Sequence, residues 1–134
     1  MIPDDVRAAL PERFETEQQF QNALRLALPR MLPVMLFRQV PGKHKQAEGA
    51  WMQGAPVGAA DLTGWARGGL RVEIECKLAG RLTSRQARWR DACAEWGVAH
   101  LVAVASPLCD ATTSVNVTAA NLRDLLRRKG VPVA

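Results

Sequence analysis

The segment "ADLTGWARGGLRVEIECK", Ala60 to Lys77, decides the fold, because it reads as two strands joined by a glycine turn and carries acidic residues on both. From Arg71 to Lys77 charged and apolar side chains alternate without a break, which puts Arg71, Glu73, Glu75 and Lys77 on one face. Alone, that alternation describes the half-exposed strand of any antiparallel sheet. The turn says more. A three-residue turn over Arg67, Gly68 and a left-handed Gly69 pairs Ala66 with Leu70. It sets Asp61 opposite Glu75, about 5 Å apart at Cα, and turns Leu62 and Ile74 together into the core. A two-residue Gly-Gly turn shifts the register by one and carries Asp61 to the other face. That alternative leaves Leu62 among the charges, so the three-residue turn is expected.

Upstream, "FETEQQFQNALRLALPRM" repeats Phe20, Ala23, Leu24, Ala27, Leu28 and Met31 at three- and four-residue steps, the pattern of an amphipathic helix. Thr16 followed by Gln19 fits a capping box at its start, and Pro29 marks its end region. "VMLFRQV", Val34 to Val40, reads as a strand. "PGKHKQAEGAWMQGAPVG", Pro41 to Gly58, has no period and is dense in Gly and Pro, so a long loop is expected there.

Downstream, "LTSRQARWRDACAEWG" reads as a helix capped by Thr83 and closed by Gly97, with Trp89, Cys93 and Trp96 on its inner stripe. "VAHLVAVA" is a continuous apolar run, as in a strand buried on both faces. A last amphipathic helix is expected over about 118–129, with Leu122, Leu125 and Leu126. The order helix, strand, hairpin, helix, strand, helix predicts an α/β fold: a three-layer sandwich around a small mixed β-sheet flanked by helices.

The 134 residues, 48% of them hydrophobic, fit one domain over 1–134 with a single ordinary core. No apolar run is long enough to span a bilayer and the first residues lack a secretion-signal pattern, so no membrane partner and a cytoplasmic location are expected. Cys76, Cys93 and Cys109 are odd in number and widely spaced, with two histidines in the chain. That argues against a disulfide framework or structural zinc and for three small core residues. His44 and His100 are isolated and read as structural or exposed. Eighteen Lys and Arg against 13 Asp and Glu give +5, a balance that favours polyanions. Arg38, Lys43, Lys45, Arg81 and Arg85 are the candidates for phosphate contacts, which position a nucleic acid without reading its sequence. Trp51 and Trp65 fall outside the core pattern and are candidates for stacking on bases or packing at a subunit contact.

In the expected register Asp61, Glu75 and Lys77 converge, with Glu73 beside them. Two carboxylates without a nearby histidine are hard oxygen donors that suit Mg²⁺ or Mn²⁺. With a lysine to balance charge and steer or deprotonate a water, they are the elements that phosphodiester hydrolysis needs.

"GAADLTG", "VEIECK", "GRLTSRQARW" and "GVAHLVAVA" together resemble the VRR-NUC domain, the virus-type replication-repair nuclease family of the PD-(D/E)XK superfamily. The resemblance covers about 17–105. Its specific part is the ExK triplet followed closely by Gly80, Arg81, Leu82, Thr83 and Gln86. It implies a restriction-endonuclease-like fold and a Mg²⁺- or Mn²⁺-dependent endodeoxyribonuclease. Asp61, Glu75 and the backbone carbonyl of Cys76 would hold the metal, with Lys77 as the catalytic lysine, Gln86 at the site and Glu17 completing the acidic cluster. Gln86 has a rival role in a Thr83–Gln86 capping box, and Glu17 in stabilising a helix dipole. The proline usual before the Asp is Ala60 here, which bears on loop stiffness. The family's association with replication and repair implies branched DNA, Holliday junctions or flaps. Paired incisions imply a homodimer, for which the leucines of the last helix are one possible interface. The rivals are a non-catalytic structure-specific DNA-binding module of the same fold, a restriction-type enzyme, and a basic scaffold whose strand charges are solvated.

Overall fold

The glycine turn closes as the segment demands. Gly68 and Gly69 lie at φ +94° and +93°, a region side chains disfavour. Ala66 N–H donates to the Leu70 carbonyl at 2.8 Å and Gly69 N–H to the Ala66 carbonyl at 3.0 Å. The computed structural model describes residues 1–134, in ten elements: α1 (Asp4–Ala9), α2 (Glu17–Met31), β1 (Val34–Arg38), β2 (Lys43–Lys45), β3 (Trp51–Gln53), β4 (Leu62–Ala66), β5 (Arg71–Lys77), α3 (Ser84–Glu95), β6 (Ala99–Val104) and α4 (Ala111–Arg128).

Strands β1, β4, β5 and β6 lie in that order in one mixed sheet, antiparallel except for the parallel β5–β6 pair that α3 connects. Leu62 pairs with Ile74, Thr63 with Glu73, Gly64 with Val72 and Trp65 with Arg71. This is the register of the three-residue turn, and one further step sets Asp61 opposite Glu75. Leu62, Val72, Ile74 and Cys76 enter the main core with Phe20, Leu24 and Leu28 of α2 and Val115, Leu122 and Leu126 of α4. Helix α3 packs on the other face, where the Trp89 indole reaches Glu73. The chain is therefore α/β, with a mixed four-stranded sheet and helices on both sides. No helix is long and apolar enough to cross a membrane.

Helix α2 starts at its expected cap, where the Thr16 hydroxyl accepts from Gln19 N–H, and it runs two residues past Pro29. Proline at the last turn costs one hydrogen bond near an end where carbonyls are already free. Helix α1 had no expectation; it seats Ile2 and Val6 in the core, and Arg30 of α2 pairs with its Asp5 at 2.7 Å.

Six expectations change. The stretch from Pro41 to Gly58 is not simply loop: Lys43–Lys45 and Trp51–Gln53 pair as a small antiparallel ribbon, tied at its base by a Pro41–Ala55 bridge. Three-residue strands are too short to display a period. Helix α4 begins at Ala111, seven residues before the expected start, because Asp110 caps it by accepting from Thr113 N–H at 2.7 Å. The sheet order makes β6 an edge strand, so Val104 is exposed and the run is not buried on both faces. Trp96 is 82% exposed rather than on the inner stripe, since α3 ends at Glu95 and the helical period ends with it. Leu122 and Leu126 are fully buried within the chain and Leu125 packs against the same core, so they offer no free face to a second copy. Cys76 and Cys93 are core residues, whereas Cys109 is only half-buried.

Candidate active site

Glu75 sits in the middle of β5 and is 3% exposed; Asp61 sits half-buried just before β4. The Cys76 N–H donates to Asp61 Oδ2 at 2.8 Å, which locks the carboxylate beside the strand that carries Glu75. Gln86, in the first turn of α3, donates from Nε2 to Glu75 Oε1 at 2.6 Å. Its Oε1 simultaneously accepts from Thr83 N–H at 2.9 Å, while the Thr83 hydroxyl accepts from Gln86 N–H. The capping role and the site role, rivals on paper, are met together because a carboxamide has an acceptor end and a donor end. Lys77 stands half-buried at the end of β5, and Glu17 is exposed at the start of α2.

The site is crowded with like charge. Burial, then the charge of Asp61, pushes the Glu75 carboxyl up to about 8, with Glu17 adding to the rise and Lys77 opposing it. Asp61 is also raised, by burial and by Glu17, against the Cys76 N–H and the charges of Lys77 and Arg38. Such a cluster binds protons, or another cation, more tightly than a solvated one.

No three His, Cys, Asp or Glu side chains gather closely enough to form a metal-binding group by themselves. The donor set available is smaller: Asp61 and Glu75, each with one oxygen accepting a hydrogen bond from Cys76 N–H or Gln86, beside the main chain of Cys76. Hard carboxylate and carbonyl oxygens fit Mg²⁺ or Mn²⁺, with water completing the shell. Glu17 acts on both carboxylates through its charge.

Glu73 goes elsewhere. The half-exposed strand that alternation alone suggests does not exist here, because α3 covers this face and Glu73 is fully buried. The Trp89 indole donates to its Oε1 at 2.8 Å and the Gln39 amide at a looser 3.4 Å, and the Arg71 guanidinium stands 3.5 Å from Oε2. His100, its register neighbour on β6, is held below its usual pKa by burial.

Gln39 is a residue the sequence reading missed. Its main-chain N–H donates to the Asp61 carbonyl at 2.8 Å and its side chain to the Ala60 carbonyl at 2.9 Å, so it fixes the backbone on which Asp61 stands. The available signal was its parity with Met35 and Phe37, which puts a polar amide on the sheet face that carries the acids.

Arg38, Lys43, Lys45, Arg81 and Arg85 are all exposed, and none forms a salt bridge. Lys43 and Lys45 ride on the β2–β3 ribbon, and Lys45 pairs across it with Trp51. Gly58, at φ +96°, lets the return leg of this arm touch α3, since a Cβ there would lie 2.6 Å from the Arg85 carbonyl carbon. No family model matches the chain, and no curated protein matches it.

Proposed function

We propose that the chain is a metal-dependent endonuclease of the PD-(D/E)XK type, resembling the VRR-NUC family, that hydrolyses DNA phosphodiester bonds in branched substrates such as Holliday junctions or flaps. The observation that carries this reading is the meeting of Asp61 and Glu75 across the hairpin, with Lys77 beside them and Gln86 donating to Glu75 at 2.6 Å.

A divalent cation held by Asp61, Glu75 and the Cys76 carbonyl would neutralise charge on the scissile phosphate. The protein's own groups supply the rest. Asp61 and Glu75 are pre-positioned by Cys76 N–H and Gln86, so the donors need no rearrangement. Lys77 steers the attacking water, and its positive charge offsets the two carboxylates. Water attacks phosphorus as the bond to the 3′ oxygen breaks; the nucleophile gives up one proton to solvent and the departing 3′ oxygen takes one up, leaving a 5′-phosphate and a 3′-hydroxyl. Arg38, Arg81 and Arg85 near the site and Lys43 and Lys45 on the arm hold backbone phosphates. One chain carries one such site, so paired incision of a junction would take a homodimer through a surface other than the leucines of α4.

The test is incubation of the protein with labelled four-way junction, flap and plain duplex, each with Mg²⁺, Mn²⁺ or EDTA, beside Glu75→Ala. Cleavage that needs metal and vanishes in the variant is expected. Binding without cleavage under either metal would move the chain to the non-catalytic DNA-binding reading.

A further inference from the structure

Helix α3 covers only the β5–β6 half of the sheet's polar face. On the β1–β4 half three large apolar side chains lie open: Met35 is 57% exposed, and Phe37 and Trp65 are each 45% exposed. Met35 pairs with Trp65 and Phe37 with Thr63, and the Phe37 and Trp65 rings touch diagonally at 5.7 Å between centroids. Single exposed apolar residues are ordinary, but three in register form a patch. Strand alternation puts the patch on the same face as Asp61, Glu73 and Glu75.

The surroundings are cationic. Arg71 pairs directly with Trp65 and keeps half of its side chain exposed. Beyond it a cavity of about 280 Å³ opens between β5 and α3, lined by Arg71 with its partner Glu73, by Trp89 and by the exposed Trp96. An adjoining depression shares Trp89 and Ala92 and is lined by Arg85 and Arg88, neither of which has an acidic partner. Aromatic faces next to the half-exposed Arg71 and the unpaired Arg85 and Arg88 complement a strand whose bases are free and whose phosphates are negative. A paired duplex does not satisfy such a surface, because its bases already stack on one another and only its backbone faces outward.

We propose that Phe37 and Trp65, flanked by Met35 and Arg71, form a stacking platform for unpaired nucleotides, so that the strand reaching the Asp61–Glu75 site is single-stranded where it crosses the sheet. The proposal rests on the nuclease reading only for what happens at the carboxylates; the platform binds whether or not the strand is cut.

The test uses the full chain carrying Glu75→Ala, in EDTA, titrated with a labelled oligothymidylate, an abasic strand of the same length and a hairpin duplex, read by anisotropy and tryptophan fluorescence. The oligothymidylate should quench tryptophan emission and bind about tenfold more tightly than the abasic strand, the scale of one base–aromatic stack. Trp65→Leu, which keeps apolar bulk without a ring, should erase that margin, and Trp65→Phe should keep it, with circular dichroism unchanged in both. Equal affinity for the abasic strand and oligothymidylate, or a margin indifferent to Trp65→Leu, overturns the platform. So does a concentration-dependent dimer that Trp65→Leu dissolves and oligothymidylate does not, since the face would then belong to a second copy. Ring-dependent binding by a chain that cuts nothing would remove the nuclease and leave the platform. Metal-dependent cutting with no base margin would do the reverse.

Discussion

Glu73 and Glu75 are two residues apart on one face of one strand, both are inside the protein, and their surroundings are opposite. Glu73 meets donors on one oxygen, the Trp89 indole and more loosely the Gln39 amide, while its buried Oε2 accepts no hydrogen bond and has only the Arg71 guanidinium 3.5 Å away. Glu75 accepts from Gln86, and although the Lys77 charge and the Asp61 main chain favour its ionised form, it faces the negative charges of Asp61 and Glu17. A buried carboxyl held by donors is compatible with a stable fold, whereas a buried carboxylate set among other carboxylates raises the energy of the folded chain. Retaining the second kind makes sense where a cation outside the chain completes it. The contrast separates a carboxyl tied to its neighbours by donors from one set among like charges, which strand alternation alone treats as equivalent, and only the second suits the proposed chemistry.

The sharpest break of that contrast is activity. Glu75→Ala or Asp61→Ala should lower metal-dependent cleavage by about 10³-fold or more, while Glu73→Gln, which keeps an acceptor for Trp89, should cost less than about tenfold. Equal losses at 73 and 75, measured as single-turnover rates on one substrate, would collapse the distinction.

Stability should invert the order. Glu73→Ala strands the Trp89 N–H, while the half-exposed Arg71 keeps its water, and should cost about 2 kcal/mol, or roughly 6 °C in Tm. Glu75→Gln should leave metal-free Tm unchanged or raise it, and thermal melts in EDTA read both.

Gln86→Leu removes the amide that serves Thr83 and Glu75 together. It should lower cleavage about tenfold and cost about 1 kcal/mol from the lost cap. Chemical denaturation beside the kinetics separates the two losses, and Gln86→Glu should keep the acceptor for Thr83 N–H while still failing in cleavage.

The smallest effect is in pH. A carboxyl whose folded pKa of about 8 lies above its unfolded value near 4.5 binds its proton more tightly when folded. Its contribution is therefore present below the unfolded value and lost as pH rises toward 8. Metal-free protein should melt a few degrees lower at pH 8 than at pH 5.5, and Glu75→Gln should flatten that slope. A slope of the opposite sign would mean that Glu75 is ionised comfortably without a cation.

The register of the hairpin was legible because three residues over-determine it: Gly69 fixes the turn, and Leu62 and Ile74 fix which side is core. The burial of Glu73 was not, since alternation reads the same whether a polar face meets water or a helix; only Trp89, with its single N–H, hinted at a buried acceptor. Helix α4 hid its first two turns behind Thr112, Thr113, Val115 and Val117, β-branched residues that dilute a helical signal, and only the cap at Asp110 marks the start. The three-residue strands of the ribbon carried no period at all. Of the site, Asp61, Glu75 and Lys77 were legible from spacing, while Gln39 was not, because its role runs through backbone contacts across two strands.

The close approach at Gly58 has a mechanical side. Where backbone rests on backbone there is no rotamer to absorb a displacement, so a push on the ribbon is delivered to α3 at Arg85, one residue before Gln86. On the proposed reading, a phosphate backbone gripped by the lysine arm and the alignment of a carboxylate would be two ends of one linkage, with a missing methyl group as its bearing.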